Sequence, residues 1–171
     1  GTSVGDIKKI KNIASSICQS KEAGNEIVVV VSAMGQTTDD LNYLAESISK
    51  NPNRRELDML LSTGEQVTIA LLSMALNEYG ISAISMTGSQ VGIITESIHG
   101  KARILDIKTE RIQNYINQGF VVVVAGFQGT TLSHTGSMEI TTLGRGGSDT
   151  SAVALSTALG AETCEIYTDV P

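Results

Sequence analysis

The stretch Thr142-Leu143-Gly144-Arg145-Gly146-Gly147-Ser148-Asp149-Thr150 sets one arginine and one aspartate among three glycines, just ahead of an apolar run with helical spacing. Glycine lets a backbone approach a ligand closely and turns its N–H groups toward an anion. The helix expected to follow adds the positive end of its dipole. Arg145 supplies a planar fork suited to a carboxylate through two parallel hydrogen bonds. It is also the only Lys or Arg between Gln113 and the C-terminus. The plainer alternative is a helix-entry turn whose arginine pairs with a neighbouring acid. Glu65 is the complementary group. It follows Gly64 at an expected helix start, where a carboxylate gains from the dipole. It is equally an apt counter-charge for a substrate ammonium group.

In an open parallel sheet, ligands collect at the carboxyl ends of the strands. Polar candidates cluster at those expected ends: Gly1, Thr2 and Ser3 before the first helix, residues 32–38 after one strand, Gly126 and Phe127 after another, and Thr168 and Asp169 after the last. Each group alone also reads as ordinary turn chemistry, since Ser, Thr, Gly and Asp suit helix caps. His99 and His134 fall in expected loops without a Cys partner at metal spacing. Both read as surface residues, and no metal-binding set is expected.

Several classes are disfavoured. No G-x-x-x-x-G-K-[ST] occurs, so a Walker-type phosphate loop is absent, and no G-x-G-x-x-G follows a strand. Net charge is −6 and the basic residues cluster only at Lys8, Lys9 and Lys11, which argues against nucleic acid as a partner. The unbroken apolar runs at 27–31 and 120–125 are strand-sized, too short to span a bilayer. The two cysteines, Cys18 and Cys164, read as reduced thiols of a cytoplasmic protein, and no signal peptide is visible.

The elements that must hold these groups alternate β-rich apolar runs with helical periodicity across 171 residues, 41% of them hydrophobic. That predicts one α/β domain, a three-layer α/β/α sandwich around a mainly parallel sheet. Val4, Ile7, Ile10, Ile13 and Ile17 form the stripe of a first helix, with Ser3 and Asp6 at capping-box spacing. A strand at 27–31 leads through Gln36, Thr37 and Thr38 into a helix near Asp39 that fades before Pro52. Residues 57–79 read as two helices meeting at Ser62-Thr63-Gly64, with Gly80 as the final cap. Strands are expected at 82–86 and 102–107, with a turn or hairpin around 91–95. A helix at 109–117, a central strand at 120–125, a loop or exposed hairpin at 129–139, a helix at 150–159 and a strand at 165–168 complete the order.

Six motifs in sequence resemble those of the aspartate kinase catalytic domain, within the amino-acid kinase family. Gly1-Thr2-Ser3 is similar to the end of the opening K-[FY]-G-G-T-S. Val31-Ser32-Ala33-Met34-Gly35 with Thr38-Asp39 matches the second loop, and Ser62-Thr63-Gly64-Glu65 the S-x-G-E turn. Gly126-Phe127-Gln128-Gly129 matches G-F-x-G, the stretch from Gly144 to Thr150 matches G-R-G-G-S-D-[ST], and Thr168-Asp169-Val170 the start of T-D-V-x-G.

The resemblance implies the amino-acid kinase (carbamate kinase-like) fold. It also implies transfer of the γ-phosphoryl of ATP, with Mg²⁺, to the β-carboxylate of L-aspartate, the entry step to lysine, threonine and methionine. Such a transfer needs positioning and charge neutralisation more than covalent chemistry. By matched position, Arg145 would hold an aspartate carboxylate and Glu65 its ammonium group, with Thr38 and Ser148 completing the pocket. Gly1, Thr2, Ser3, Gly146 and Gly147 would cradle phosphates, while Thr168 and Asp169 would border the nucleotide. Ser32 would lie beside the transfer point, and Asp149 would orient the lysines that neutralise the moving group. A homo-oligomer is expected by the same likeness. Measured against the family pattern, the opening lysine, the rest of the nucleotide-binding half and the C-terminal ACT domains lie outside this sequence. The fragment alone is therefore expected to be inactive. Sibling kinases acting on glutamate, acetylglutamate, carbamate or UMP, and a non-catalytic ligand-binding module, are the competing readings.

Overall fold

Four valines and an alanine at 121–125 leave no polar face, so this run can exist only as a strand covered on both sides. The computed structural model describes residues 1–168 and places that run at the centre of the main sheet. After a short 3₁₀ turn at Thr2–Val4 come α1 (Ile7–Glu22), β1 (Val28–Val31), α2 (Thr37–Ile48), α3 (Arg54–Leu61), α4 (Thr63–Glu78) and β2 (Ala83–Met86). They are followed by α5 (Gly88–Val91), β3 (Ile93–Thr95), β4 (Ile104–Ile107), α6 (Glu110–Asn117), β5 (Val121–Ala125), β6 (Gln128–Leu132), β7 (Met138–Thr142) and α7 (Gly147–Leu159).

Strand β5 runs parallel to β1 on one side and β2 on the other, pairing Val29 with Val123 and Ile84 with Val122. Side chains alternate across a strand. Val121, Val123 and Ala125 accordingly pack with Ile10, Ala14, Ile69, Leu72 and Leu76 of α1 and α4. Val122 and Val124 pack on the opposite face with Ile112, Ile116 and Leu155 of α6 and α7. This is the expected three-layer sandwich.

Beside it lies a second, mixed sheet in the order β4-β3-β6-β7, which the sequence reading did not foresee. Residues 91–95 do not make a turn or hairpin alone: Val91 closes α5, and Ile93–Thr95 is a strand between β4 and β6. Residues 129–139 do form a hairpin, exposed as expected at Leu132 and residues 134–138, but buried at its root, where Thr130 and Thr131 join the neighbouring Gln128 inside the fold. Their polar side chains tolerate burial because donors and acceptors meet, as where the Thr95 and Thr141 hydroxyls lie 2.6 Å apart.

Other boundaries moved for local reasons. Asp6, not Ser3, caps α1, accepting from the Lys9 N–H at 2.8 Å, because residues 2–4 are already wound into the 3₁₀ turn. The junction at Ser62 splits α3 from α4 as expected. Helix α7 begins at Gly147, three residues before the expected start. The expected strand at 165–168 is absent: residues 163–168 are exposed, without regular structure. A strand exists only through a neighbouring ladder, whereas here Ser3 Oγ donates to the Tyr167 carbonyl at 3.3 Å and, among the described residues, no strand pairs with this segment. The stretch Arg54–Glu78 is long and apolar enough by composition to cross a membrane, although it contains no long unbroken apolar run. It breaks at Ser62, carries buried Asp58 and Glu65, and has half of its most apolar window buried inside the fold.

Leu72 is fully buried between α1 and the sheet, whereas Met74 on the same helix is 63% exposed. Leu72→Ala should cost about 2–5 kcal/mol of unfolding free energy, and Met74→Ala under about 0.5 kcal/mol. Denaturant titration of both variants checks this; equal midpoints would contradict the assigned packing.

Candidate active site

The carboxyl ends of β1 and β5 feed two loops, residues 32–36 and 126–127, that meet the starts of α4 and α7. Gly64 packs so closely that an added methyl would sit 2.9 Å from the Ala33 Cβ. A methyl on Gly126 would meet Ser148 Oγ at 2.9 Å. Gly1 joins the same cluster, its carbonyl accepting from the Gly35 N–H at 3.2 Å. Glycine at these points permits the close approach of backbones. The structure thus gathers Gly1, Ser32, Glu65, Gly147 and Ser148 at one end of the sheet. Ser32 and Thr38 are half-buried there, with Thr38 in the first turn of α2.

Phe127 has φ +68°, the left-handed region that a bulky residue avoids. Its N–H donates to Ser151 Oγ at 3.1 Å, and its carbonyl accepts from the Leu143 N–H at 2.8 Å. These bonds hold β5, α7 and the segment after β7 in one arrangement. Strain of this kind, about 1–3 kcal/mol, persists where surrounding structure over-determines it, often at functional sites.

Glu65 is 2% exposed in the first turn of α4. Gln128 Nε2 donates to its carboxylate at 3.4 Å and to the Ser62 carbonyl at 2.9 Å, while Gln128 Oε1 accepts from the Gly88 N–H at 3.3 Å. Burial pushes the Glu65 carboxyl up to about 7. It is opposed by the N–H groups of Glu65 and Ala33 and by the Gln128 amide. Among the described residues no Lys or Arg side chain pairs with it. A buried carboxylate lacking a cationic side-chain partner is suited to receive a ligand ammonium.

Arg145 is exposed and forms no ion pair among the described residues. It borders a cavity of about 510 Å³ that also touches Lys101, Arg103, Leu143 and Thr150. Glu65 does not line that cavity. The two charged residues are linked instead through the hairpin root, where Gln128 stands opposite Thr142, three residues before Arg145. Gly146, at φ +74°, precedes α7, and no side chain caps that helix. The first N–H groups of α7, around Ser148 and exposed Asp149, therefore form a ready anion cradle. Thr2 and Thr168 are exposed and Ser3 half-buried; Asp169 lies outside the described residues.

Two functional candidates escaped the sequence reading. Gln128 was legible only as a motif letter, yet it bridges Glu65, Ser62 and Gly88. His99 is not a surface residue: its Nδ1 lies 2.7 Å from Asp58 Oδ2, and its side chain is only 21% exposed. Burial of an acid in α3 called for a partner, and the loop supplied it. A polar residue on the inward stripe of α3 was the signal that could have found Asp58.

These observations define a three-layer α/β protein that collects glycine-rich, anion-receptive loops at the carboxyl ends of its parallel strands. The chain belongs to the amino acid kinase family, which matches residues 1–171. It is 62% identical to the aspartokinase of Bacillus sp. (strain MGA3), over 99% of this chain and 40% of that protein. It superposes on the aspartate kinase of Synechocystis with a TM-score of 0.84 and 58% identity, covering 100% of this chain and 27% of the other. Escherichia coli aspartokinase III in complex with aspartate and ADP gives a TM-score of 0.81 over 100% of this chain and 48% of that one. At 24% identity, that likeness speaks for the fold alone. The chain thus spans about 40% of the length of the curated relatives it matches.

The raised carboxyl of Glu65 has a stability consequence with a definite sign. The folded chain holds this proton more tightly than the unfolded one, so Glu65 contributes stability that is fully present below about pH 4.5 and is lost as pH rises through about 7. Over that window the native chain should lose about 3 kcal/mol more than Glu65→Gln. Denaturant midpoints against pH measure it, and parallel profiles for the two chains would refute it.

Proposed function

We propose that this chain is the amino-acid-binding part of an aspartate kinase. The parent protein would transfer the γ-phosphoryl of ATP to the β-carboxylate of L-aspartate. A carboxylate oxygen attacks the γ-phosphorus, the bond to the bridging oxygen breaks, and 4-phospho-L-aspartate and ADP leave. The product's place at the entry to lysine, threonine and methionine belongs to the same reading. The observation that carries it is identity of 58–62% to aspartate kinases across essentially the whole chain. The site chemistry agrees with that identity.

Glu65 receives the substrate ammonium, which replaces its missing counter-charge and returns the carboxyl to its ionised form. Arg145 takes a carboxylate of the same zwitterion, with Thr38 and Ser148 alongside. An N-acylated substrate or UMP offers no ammonium for Glu65, which favours a free amino acid. The uncapped start of α7 with Gly146 and Gly147, and the backbone at Gly1, Thr2 and Ser3, fit phosphate oxygens. Thr168 and Asp169 border the nucleotide in this assignment. When bound, Mg²⁺ would supply charge neutralisation on the ATP phosphates, held mainly by phosphate oxygens and water. Ser32 lies beside the transfer point, and Asp149, exposed at the helix start, orients cations that meet the developing charge.

Hydroxylamine trapping of the acyl phosphate, with the full-length protein, tests the assignment. Arg145→Ala and Glu65→Ala should each lower kcat/KM for aspartate by a factor equivalent to about 2–5 kcal/mol of recognition, the loss expected when one partner of a charge pair desolvated by the bound substrate is removed. Unchanged turnover in both variants would remove these residues from the site. Preference for glutamate or UMP over aspartate would replace the substrate.

A further inference from the structure

We propose that Asp58 is a positioning residue: with His99 and Thr142 it fixes the turn that carries Arg145, and so sets how tightly the amino-acid substrate is held. The inference rests on the kinase reading above and adds residues that neither the motifs nor that reading assign.

Asp58 lies in α3 with its carboxylate fully buried. Among the described residues, its hydrogen-bond partners come from far along the chain. Thr142 Oγ1 donates to Oδ1 at 2.6 Å, the Gly100 N–H lies 3.1 Å from both oxygens, and His99 Nδ1 lies 2.7 Å from Oδ2. The same strap grips Thr142 a second time, through the Ala102 N–H donating to the Thr142 carbonyl at 3.0 Å. Thr142 is thus held by both its side chain and its backbone. Next, Leu143 is tied to the strained Phe127 by its N–H, and the chain then enters the Gly144-Arg145-Gly146 turn.

Beyond Leu143, Arg145 has no side-chain tie of its own among the described residues, so its origin is set by Thr142 and Leu143 on one side and by α7 on the other. Thr142 also stands opposite Gln128, which contacts Glu65. Asp58 and Glu65, seven residues apart across the α3–α4 junction, therefore grip the two strands of one hairpin. The grip on β7 sets where the guanidinium begins; the grip on β6 sets where the carboxylate ends. A buried carboxylate supplied with this many donors is stiff, because releasing any one of them leaves charge uncompensated. Rigid support behind a binding group is what holds it in productive geometry.

The test uses the full-length protein with Thr142→Val, Thr142→Ser and His99→Leu. Thr142→Val should raise KM for aspartate by about tenfold to a hundredfold, the usual scale for a small misplacement. KM for ATP should stay within about twofold, since the lost interaction serves one substrate only. Thr142→Ser keeps the hydroxyl and should restore aspartate KM to near the native value, while His99→Leu should fall between. Hydrogen exchange supplies a readout independent of turnover: the Gly100, Ala102 and Leu143 amides should exchange about tenfold faster in Thr142→Val, with Val123 unchanged. A joint rise of both KM values, faster exchange that includes Val123, or a Thr142→Val protein that matches the native one in both readouts would overturn the proposal. If the native protein turns over no aspartate, the kinase reading fails by itself, and the exchange pattern still decides whether Asp58 holds this turn.

Discussion

Two carboxylates taken out of water between a pair of helices and a hairpin are the constraint on which this architecture turns. Asp58 and Glu65 are each at most 2% exposed, and a buried charge is tolerated only where donors meet it. The donors for Asp58 come from the strap at 99–100 and from β7; those for Glu65 come from the loop after β1 and from Gln128 of β6. Helices and hairpin can therefore dock in one relation only. Sliding the hairpin by a residue would turn both Gln128 and Thr142 to the other face and strand both acids.

The two acids are satisfied to different degrees, and that difference separates support from chemistry. Asp58 is surrounded by donors of short reach, so it behaves as an anchor. Among the described residues Glu65 has amide partners but no cationic side chain, and burial drives its carboxyl up to about 7. A ligand bearing positive charge would find its strongest reward there, because ionising Glu65 becomes favourable only when that charge arrives. The exposed Arg145 in the glycine turn is anchored at its root and, among the described residues, forms no ion pair at its tip.

Much of the frame was legible in the chain. The apolar run of β5 could only be a central strand, the stripe of α1 could only face a core, and the doubled helix broke at Ser62 where the pattern faltered. Of the second sheet only β4, inside the strand expected at 102–107, was legible, because the buried parts of β6 and β7 are rich in threonine. A period-2 reading takes such residues as exposed, yet here hydroxyls pair with one another and with a carboxylate, so their burial costs little. His99 was misread for the same reason. A lone histidine in a loop gives no sign of the acid it meets.

What the chain determined by itself was local: which segments are helix or strand, where glycine frees a turn, and that an arginine and an acid of suitable type exist at all. These follow from side-chain shape, hydrophobicity and backbone freedom, properties that each residue carries with it. Only the tertiary structure decided partnership. Asp58 meets His99 and Thr142 across separations of 41 and 84 residues, and Glu65 meets Gln128 across 63. Hydrogen bonds to a buried charge are short-ranged in space but unconstrained in sequence, so a residue's type can announce the need for a partner without naming it.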